Sequence, residues 1–155
     1  MNNNLIITIG REYGTGGREI GQKLAPRLGI PFYDRELITR AAKKTGFDEK
    51  LFEQLDKRAT NSFLYSLTMF GTVGLNGMSL TDQLYLAQSN IIREMAEDSS
   101  CVIVGRCADH VLRDFPNKFD FFIHGSIEDR VKRVQTCGDY VIEGKTPEAA
   151  LEKMD

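Results

Sequence analysis

The sequence predicts an α/β domain built on a parallel, doubly wound sheet. Three almost continuously apolar runs, at residues 5–9, 101–104 and 119–123, have the length and composition of strands buried on both faces of such a sheet. Helical patterns lie between them, and strands that alternate with helices are typical of this architecture. With 155 residues, the chain is expected to form one domain over residues 1–155.

The first predicted strand is followed by a glycine-rich turn and then by a helix. Apolar residues recur at helical spacing from Ile20 to Leu28, and Gly29 is a typical helix stop. Pro26 is expected to distort the last turn, because proline has no N–H to donate. Residues 30–33 predict a short additional strand.

The later helices are predicted from their caps and their apolar stripes. Residues 80–96 show the clearest helical stripe, and a Ser-x-x-Asp pattern marks its start. The same pattern at Ser126 predicts another helix, and Thr146 followed by proline predicts a last one.

Residues 47–78 are rich in aromatic residues, methionine and glycine. One interpretation is a helical hairpin that packs on the sheet through these apolar side chains. The other is an element that covers the substrate or forms a homodimer, since clustered apolar side chains also mark such surfaces.

The composition excludes several classes of protein. Charges are nearly balanced, with 20 Lys and Arg against 22 Asp and Glu, so no overall field favours nucleic acid or a membrane surface. No apolar run is long enough to span a bilayer, and the first residues do not resemble a signal peptide. The three cysteines lack the spacing of a disulfide framework or a zinc site. We therefore expect a cytoplasmic protein that binds neither nucleic acid nor membrane.

The turn after the first strand has the composition of a phosphate-binding loop. Gly14, Gly16 and Gly17 would let backbone N–H groups approach an anion, and the following helix would supply the partial positive charge of its N-terminus. The usual pattern, GxxxxGK[ST], is incomplete: Arg18 is the candidate replacement for its lysine, and Glu19 follows instead of Ser or Thr. The alternative is that the loop is only a tight connection.

Charged residues also follow the other predicted strands. The carboxyl ends of parallel strands meet at one edge of the sheet, where ligands bind in open α/β folds. The residues concerned are Asp34 and Arg40, Arg106 and Asp109, and Arg130 and Arg133. Each has a structural alternative. Asp34 could cap a helix, Arg106 could form an ion pair with Asp109, and Arg130 and Arg133 could lie on a solvated helix face. Their convergence favours an anion-binding crevice.

Three segments together resemble the cytidylate kinase-like family of P-loop proteins. They are GREYGTGGREIG at residues 10–21, PFYD at residues 31–34 and VIVGRCAD at residues 102–109. The resemblance implies the fold of nucleoside monophosphate kinases and transfer of the γ-phosphoryl group of ATP to a small acceptor, with Mg²⁺. By the same resemblance, the leading acceptor is a pyrimidine nucleoside monophosphate; a different small metabolite is the alternative.

The resemblance also implies roles for individual residues. The ATP phosphates would be held by Gly14, Thr15, Gly16, Gly17, Arg18 and Glu19, with Glu19 also binding Mg²⁺. The acceptor would be held by Asp34, Arg40, Arg106 and Asp109. Catalytic charge would come from Arg18, Arg106, Arg130 and Arg133. Residues 137–147 would form the lid.

The sequence departs from the family pattern at several points. The loop has no lysine, and Cys107 stands where the family has an aspartate, unless Asp109 substitutes for it. Family members also continue beyond the lid, so we expect either that the sequence is a fragment or that the domain lacks its last strand and part of its lid. These departures support a second hypothesis, a nucleotide-binding sensor or regulatory module with weak catalysis or none.

Overall fold

The strands and helices alternate along the chain, as the sequence predicts. The computed structural model describes residues 3–34, 80–137 and 146. The elements within these ranges are β1 (Ile6–Arg11), α1 (Gly17–Leu28), β2 (Phe32–Tyr33), α2 (Leu80–Asp98), β3 (Cys101–Val104), α3 (Ala108–Val111), β4 (Lys118–Ile123) and α4 (Ile127–Thr136). The strands form one parallel sheet in the order β2-β3-β1-β4, which confirms the α/β class.

Helices cover both faces of the central strands. The face under α1 is filled by Ile7, Ile9, Ala25, Val102 and Val104. The face under α2 and α3 is filled by Ile6, Ile92, Ala96, Cys101, Ile103, Ala108, Val111 and Leu112. Because successive side chains of a strand point to opposite faces, β1 and β3 are buried on both sides, as their apolar runs predict.

Helix α1 ends where the sequence indicates. Gly29 adopts a left-handed conformation (φ 66°) and donates its N–H to the carbonyl of Pro26 at 3.2 Å. Ile30 donates to the carbonyl of Ala25 at 3.1 Å, which completes a Schellman-type end and confirms the stop. Pro26 lies inside the helix, which continues to Leu28.

Strand β1 is longer than predicted at its carboxyl end. It pairs with β4 through Gly10 and Arg11, which lie opposite Phe122 and Ile123. The N–H of Glu12 then donates to the carbonyl of Ile123 at 3.0 Å. This pairing carries Arg11 to the edge of the sheet where the glycine loop begins.

Strand β4 differs from the other strands in its exposure. Its apolar run predicts burial on both faces, but Phe119, Phe121 and Phe122 are 53%, 51% and 65% exposed. The reason is its place: β4 is at one end of the strand order, whereas α1 contacts β1, β2 and β3, and α3 contacts β1.

Helix α4 begins with the predicted cap. The Ser126 hydroxyl oxygen accepts a hydrogen bond from the N–H of Asp129 at 3.2 Å. The buried side chains of the helix are Arg130 and Val134, whereas Ile127 of the predicted apolar stripe is 63% exposed. The buried face of α4 therefore contains an arginine.

Several predictions lie outside the described residues. They are Arg40, the insertion at residues 47–78 with its dimer contact, residues 138–145 of the lid, and the helix after Thr146. In the described part of the chain, no helix combines the length and the apolar character that crossing a membrane requires.

Candidate active site

The glycine loop connects β1 to α1 through two residues in the left-handed conformation. Gly14 and Gly16 have φ angles of 85° and 79°, in the left-handed region that glycine adopts without strain. Gly16 is the N-cap residue of α1, so the first N–H groups of a 12-residue helix open from this loop. Within the loop, the Thr15 hydroxyl donates to the carbonyl of Glu12 at 2.8 Å. The loop therefore presents a helix N-terminus of the kind that binds phosphate.

The glycines also make room for arginine side chains from elsewhere in the fold. A methyl group at Gly16 would lie 2.6–2.8 Å from the guanidinium of Arg133, and one at Gly17 would lie 2.7 Å from the Cβ of Arg11. Gly14 packs under α4, where a methyl group would lie 3.1 Å from the carbonyl oxygen of Arg130. At Gly17 a side chain would clash with the Cβ of Arg11, whereas at Gly16 it would displace the end of Arg133 and at Gly14 it would require a small shift of α4.

A cavity of about 210 Å³ opens beside the loop. Its lining combines loop backbone with three arginines and two carboxylates: Arg11, Arg18, Arg133, Glu12 and Glu19. Glycine N–H groups, a helix N-terminus and guanidinium groups all favour a bound anion. The chemistry of the lining therefore fits a phosphate chain.

Arg18 and Asp34 are brought together across the site. Arg18 Nε donates to Asp34 Oδ2 at 2.8 Å, and Arg18 Nη2 lies 2.7 Å from the same oxygen. Asp34 follows β2 and is only 5% exposed, whereas the side chain of Arg18 is 43% exposed. The sequence analysis assigns Arg18 to the ATP phosphates and Asp34 to the acceptor substrate, and both assignments stay predictions. The structure shows that the pair connects the start of α1 to the end of β2.

Glu19 lies between two cations at the start of α1. Its carboxylate forms ion pairs with Lys23, one turn along the helix, and with Arg133 of α4. The hydrogen bond from Lys23 and the charges of both cations lower the pKa of Glu19 below its ordinary value. The carboxylate is thus ionised at neutral pH, as a ligand of a hard cation must be.

The same carboxylates test the predicted magnesium site. Among the residues that the structure describes, no three His, Cys, Asp or Glu side chains form a metal-binding group. Mg²⁺ in phosphate-transfer sites is typically held by one or two carboxylates together with phosphate oxygens and water. Glu12 and Glu19 both line the cavity, so the donors present fit an ion held mainly by a bound nucleotide.

Arg130 contacts the loop backbone. It is 4% exposed, its Nε donates to the carbonyl of Tyr13 at 2.7 Å, and its Nη1 lies 3.5 Å from Glu12 Oε2. The same oxygen of Glu12 accepts from the N–H of Gly125 at 3.1 Å. These contacts tie the glycine loop to the start of α4, and a direct catalytic role for Arg130 stays a prediction.

The segment after β3 is held in an uncommon backbone conformation. Gly105, Arg106 and Cys107 have successive φ angles of 75°, 61° and 51°, after which α3 begins. Left-handed conformations of residues other than glycine cost about 1–3 kcal/mol each and concentrate at functional sites. The segment starts beside the glycine loop, since the N–H of Gly105 donates to the carbonyl of Ile9 at 3.0 Å.

Asp109 and Cys107 are both exposed near this segment. Asp109 lies on α3, and its carbonyl oxygen accepts from Lys118 Nζ at 2.8 Å. The short helix α3 itself was not predicted, because four residues are too few to show a helical period.

Arg11 is a site residue that the sequence analysis missed. Its side chain runs over Gly17 and ends against Gly105, where an added methyl group would overlap Arg11 Nη1. It therefore connects the glycine loop to Gly105, the first residue of the left-handed segment 105–107. The available signal was its place at the end of the first strand, directly before the loop.

The fold has counterparts among solved structures. An uncharacterized protein from Eubacterium ventriosum ATCC 27560 is 31% identical, with a TM-score of 0.63 over 97% of this chain and 69% of that one. Shikimate kinase from Bacteroides thetaiotaomicron shares the fold at 15% identity, with a TM-score of 0.52 over 96% of this chain and 74% of that one. No curated protein matches the sequence. Residues 6–155 match the cytidylate kinase-like family, and the chain belongs to that family.

Proposed function

We propose that this protein is a phosphotransferase that moves the γ-phosphoryl group of ATP to a small acceptor, with a pyrimidine nucleoside monophosphate as the leading acceptor. The observation that carries the proposal is the cavity beside the glycine loop, with its helix N-terminus and its arginines. Membership of the cytidylate kinase-like family supports the same class of reaction. The acceptor is taken from that family's name and from the charged residues that follow β2 and β3 in the sequence.

The donor phosphates would lie along the loop. The N–H groups of Gly14, Gly16, Gly17, Arg18 and Glu19 would bind the phosphate oxygens, as in other phosphate loops. The N–H of Thr15 donates to the carbonyl of Glu12 at 3.4 Å and so holds the loop itself. Arg133, whose guanidinium lies over Gly16, would add charge from the α4 side. Phosphoryl transfer depends mainly on such positioning and on charge stabilisation, and one well-placed arginine is worth about 10³–10⁵ in rate.

The acceptor would lie at the ends of β2 and β3. Arg106, Arg40 and Asp109 are the proposed ligands of the acceptor, with the guanidinium groups binding its phosphate. Asp34 would order this side through its pair with Arg18. Because that pair spans the two sides of the site, it would keep donor and acceptor in register, which is a large part of catalysis by positioning.

Magnesium is the proposed cofactor beside ATP. Glu19, with Glu12 next to it in the cavity lining, would bind the ion. When bound, Mg²⁺ would neutralise charge on the phosphate oxygens during transfer. The role of this chain's residues is to keep an ionised carboxylate near the phosphates, and the cations around Glu19 do so.

A nucleotide-binding sensor is the second candidate function. Two observations favour it: the glycine loop has no lysine, and Cys107 replaces the family's aspartate. Such a protein would bind nucleotide through the loop but would turn it over slowly or not at all. The homodimer through residues 47–78 stays a separate prediction.

Calorimetric titration with ATP and Mg²⁺, and then with CMP, tests the proposal when it is combined with an ADP-release assay on the same preparation. The kinase proposal requires binding of both ligands and product in excess over enzyme. ATP binding without turnover, across a panel of nucleoside monophosphates and small metabolites, would favour the sensor. Failure of the folded protein to bind ATP would reject both.

A further inference from the structure

The side chain of Arg11 connects the glycine loop to the end of β3. It ends β1, and its side chain is exposed to the cavity that it lines. Its Cβ and Cγ lie 2.7 Å and 3.0 Å from where a methyl group on Gly17 would be, and its Nη1 reaches Gly105. The side chain thus crosses from the first residue of α1 to the end of β3.

Gly17 stands at the position that lysine has in the usual motif. In that motif a glycine precedes the lysine, and the helix follows the loop directly. Here Gly16 caps α1 and Gly17 is its first residue, so the helix start aligns Gly17 with the lysine. A lysine at this position would collide with Arg11, because its Cβ would lie 2.7 Å from that of Arg11.

The other arginines of the cavity point elsewhere. Arg18 reaches the buried carboxylate of Asp34 after β2, and Arg133 approaches Gly16 from α4 and pairs with Glu19. Arg11 is the arginine of these three that lies between the loop and the end of β3. A terminal phosphate that passes from the loop towards Arg106 would meet this guanidinium.

We infer that Arg11 is a catalytic residue that supplies, from the end of β1, the charge that lysine supplies at the start of the helix in the usual motif. It binds the terminal phosphates of the donor nucleotide. Gly17 and Gly105 leave the space through which it reaches them. This inference rests on the proposed function and moves the role of the missing lysine from Arg18 to Arg11.

The first test compares nucleotide binding by variants of the whole chain. Arg11→Met keeps the aliphatic stem that packs on Gly17 but removes the charge, and Arg11→Lys keeps both. Arg27→Ala is the matched control, because Arg27 is an exposed arginine about 15 Å along α1 from Gly17. The ligands are a non-hydrolysable ATP analogue and AMP, each with Mg²⁺, and thermal unfolding monitors folding of every variant.

The expected pattern depends on the number of phosphates. Arg11→Met should weaken the ATP analogue at least about tenfold and AMP less than about threefold, because a single phosphate does not reach the terminal position. Arg11→Lys should stay within about threefold of the wild type for both ligands, and Arg27→Ala should be unchanged. An equal loss for both ligands, or no loss in Arg11→Met, would overturn the inference.

A second test moves the charge back to the position of the usual motif. Arg11→Gly removes the side chain that Gly17 accommodates, and Gly17→Lys then introduces lysine into the vacated space. Arg11→Gly alone should lose the preference for the ATP analogue over AMP. The double variant should recover at least about half of that preference. Absence of recovery in a folded double variant would count against Arg11 as the replacement for lysine.

The proposed function and the role of Arg11 can be rejected separately. If the wild-type chain binds neither nucleotide, the proposed function fails, and this inference with it. If the wild type binds the ATP analogue and Arg11→Met binds it equally well, only the role of Arg11 is lost. A loss in Arg18→Ala that is confined to the ATP analogue, with Arg11→Met unchanged, would return the role to Arg18.

Discussion

Arg18 and Asp34 form an asymmetric pair: Arg18 Nε donates to Asp34 Oδ2 at 2.8 Å, and the carboxylate is buried while the guanidinium is half exposed. Removing the arginine takes the guanidinium away from a carboxylate that water barely reaches. Removing the aspartate leaves a guanidinium that water can solvate. The cost of breaking the pair should therefore depend on which partner is removed.

We expect Arg18→Ala to lower the free energy of unfolding by about 1–3 kcal/mol, and Asp34→Ala to lower it by less. Urea unfolding of both single variants and of the double variant measures the difference and the coupling between the two residues. Arg27→Ala, an exposed arginine of the same helix, serves as the control. Equal losses in the two single variants would contradict the asymmetry.

The second prediction concerns Arg130, which ties the glycine loop to α4 through the carbonyl of Tyr13. Arg130→Ala should lower the free energy of unfolding by about 2–3 kcal/mol, because it removes buried hydrogen bonds and leaves a space at a position that is 4% exposed. For a chain of this size the loss corresponds to a fall in Tm of about 4–12 °C.

Lys132→Ala is the matched control for Arg130, since it removes a positive charge from an exposed position of the same helix. It should leave Tm unchanged within about 1 °C. Arg130→Ala should also weaken ATP binding, because the loop loses its anchor. If Arg130→Ala unfolded like the wild type but lost turnover, the residue would act directly in catalysis, as the sequence analysis predicts, and not as an anchor.

Arg130 and Val134 are both buried on α4, but only the valine has the apolar character by which sequence analysis recognises a buried position. Strand β3 is predicted to the residue, because Cys101 to Val104 are all buried and a four-residue apolar run admits few other placements. The Ser126 cap is predicted because its signal is local. An arginine buried against a backbone carbonyl produces no such pattern, so the sequence predicts a catalytic role for Arg130, with a solvated face as the alternative, and does not predict the contact with the loop.

The role of Arg11 and the exposure of β4 have no local signal in the sequence either. The role inferred for Arg11 depends on its approach to Gly17 and Gly105, which are 6 and 94 positions away along the chain. The phenylalanines of β4 have the composition of a central strand, but burial depends on strand order, which a single apolar run does not encode. Both properties arise only when distant segments meet.

The third prediction concerns pH and Asp120, which accepts a hydrogen bond from the Thr8 hydroxyl at 2.6 Å and pairs with Lys118. Partial burial raises the pKa of this carboxyl, but the hydrogen bonds from Lys118 and Thr8 and the charge of Lys118 outweigh it, so the pKa lies below its ordinary value. Because the folded state holds the ionised form, Asp120 contributes stability above the unfolded pKa of about 3.9, and this is lost as pH falls through the folded pKa.

Asp120→Asn should therefore be less stable than the wild type at pH 7 and should approach it as pH falls below about 3.9. Urea unfolding of both proteins at several pH values between about 2.5 and 7, a range that includes the unfolded pKa, measures the difference in stability. Asp114→Asn is the control, since Asp114 is an exposed aspartate outside this contact. A destabilisation of Asp120→Asn that did not change with pH would mean that packing, and not ionisation, accounts for the loss.

The fourth prediction separates the backbone conformation of the glycine loop from its contacts. Gly16 and Gly29 both have positive φ angles, 79° and 66°, so alanine is strained at either position by about 1 kcal/mol. A methyl group at Gly29 would meet nothing within 4 Å, whereas one at Gly16 would meet the guanidinium of Arg133 at 2.6–2.8 Å. The two variants share the strain and differ in the displacement of Arg133.

Gly29→Ala should lose about 1 kcal/mol of stability and keep its affinity for ATP. Gly16→Ala should lose a similar amount and, in addition, weaken ATP binding at least about tenfold, because Arg133 is pushed from the loop and the methyl group faces the phosphates. Urea unfolding and calorimetric titration on the same preparations give both quantities. Equal affinities in the two variants would show that nucleotide does not use the surface of the loop at Gly16, and the site would have to lie elsewhere on the sheet edge.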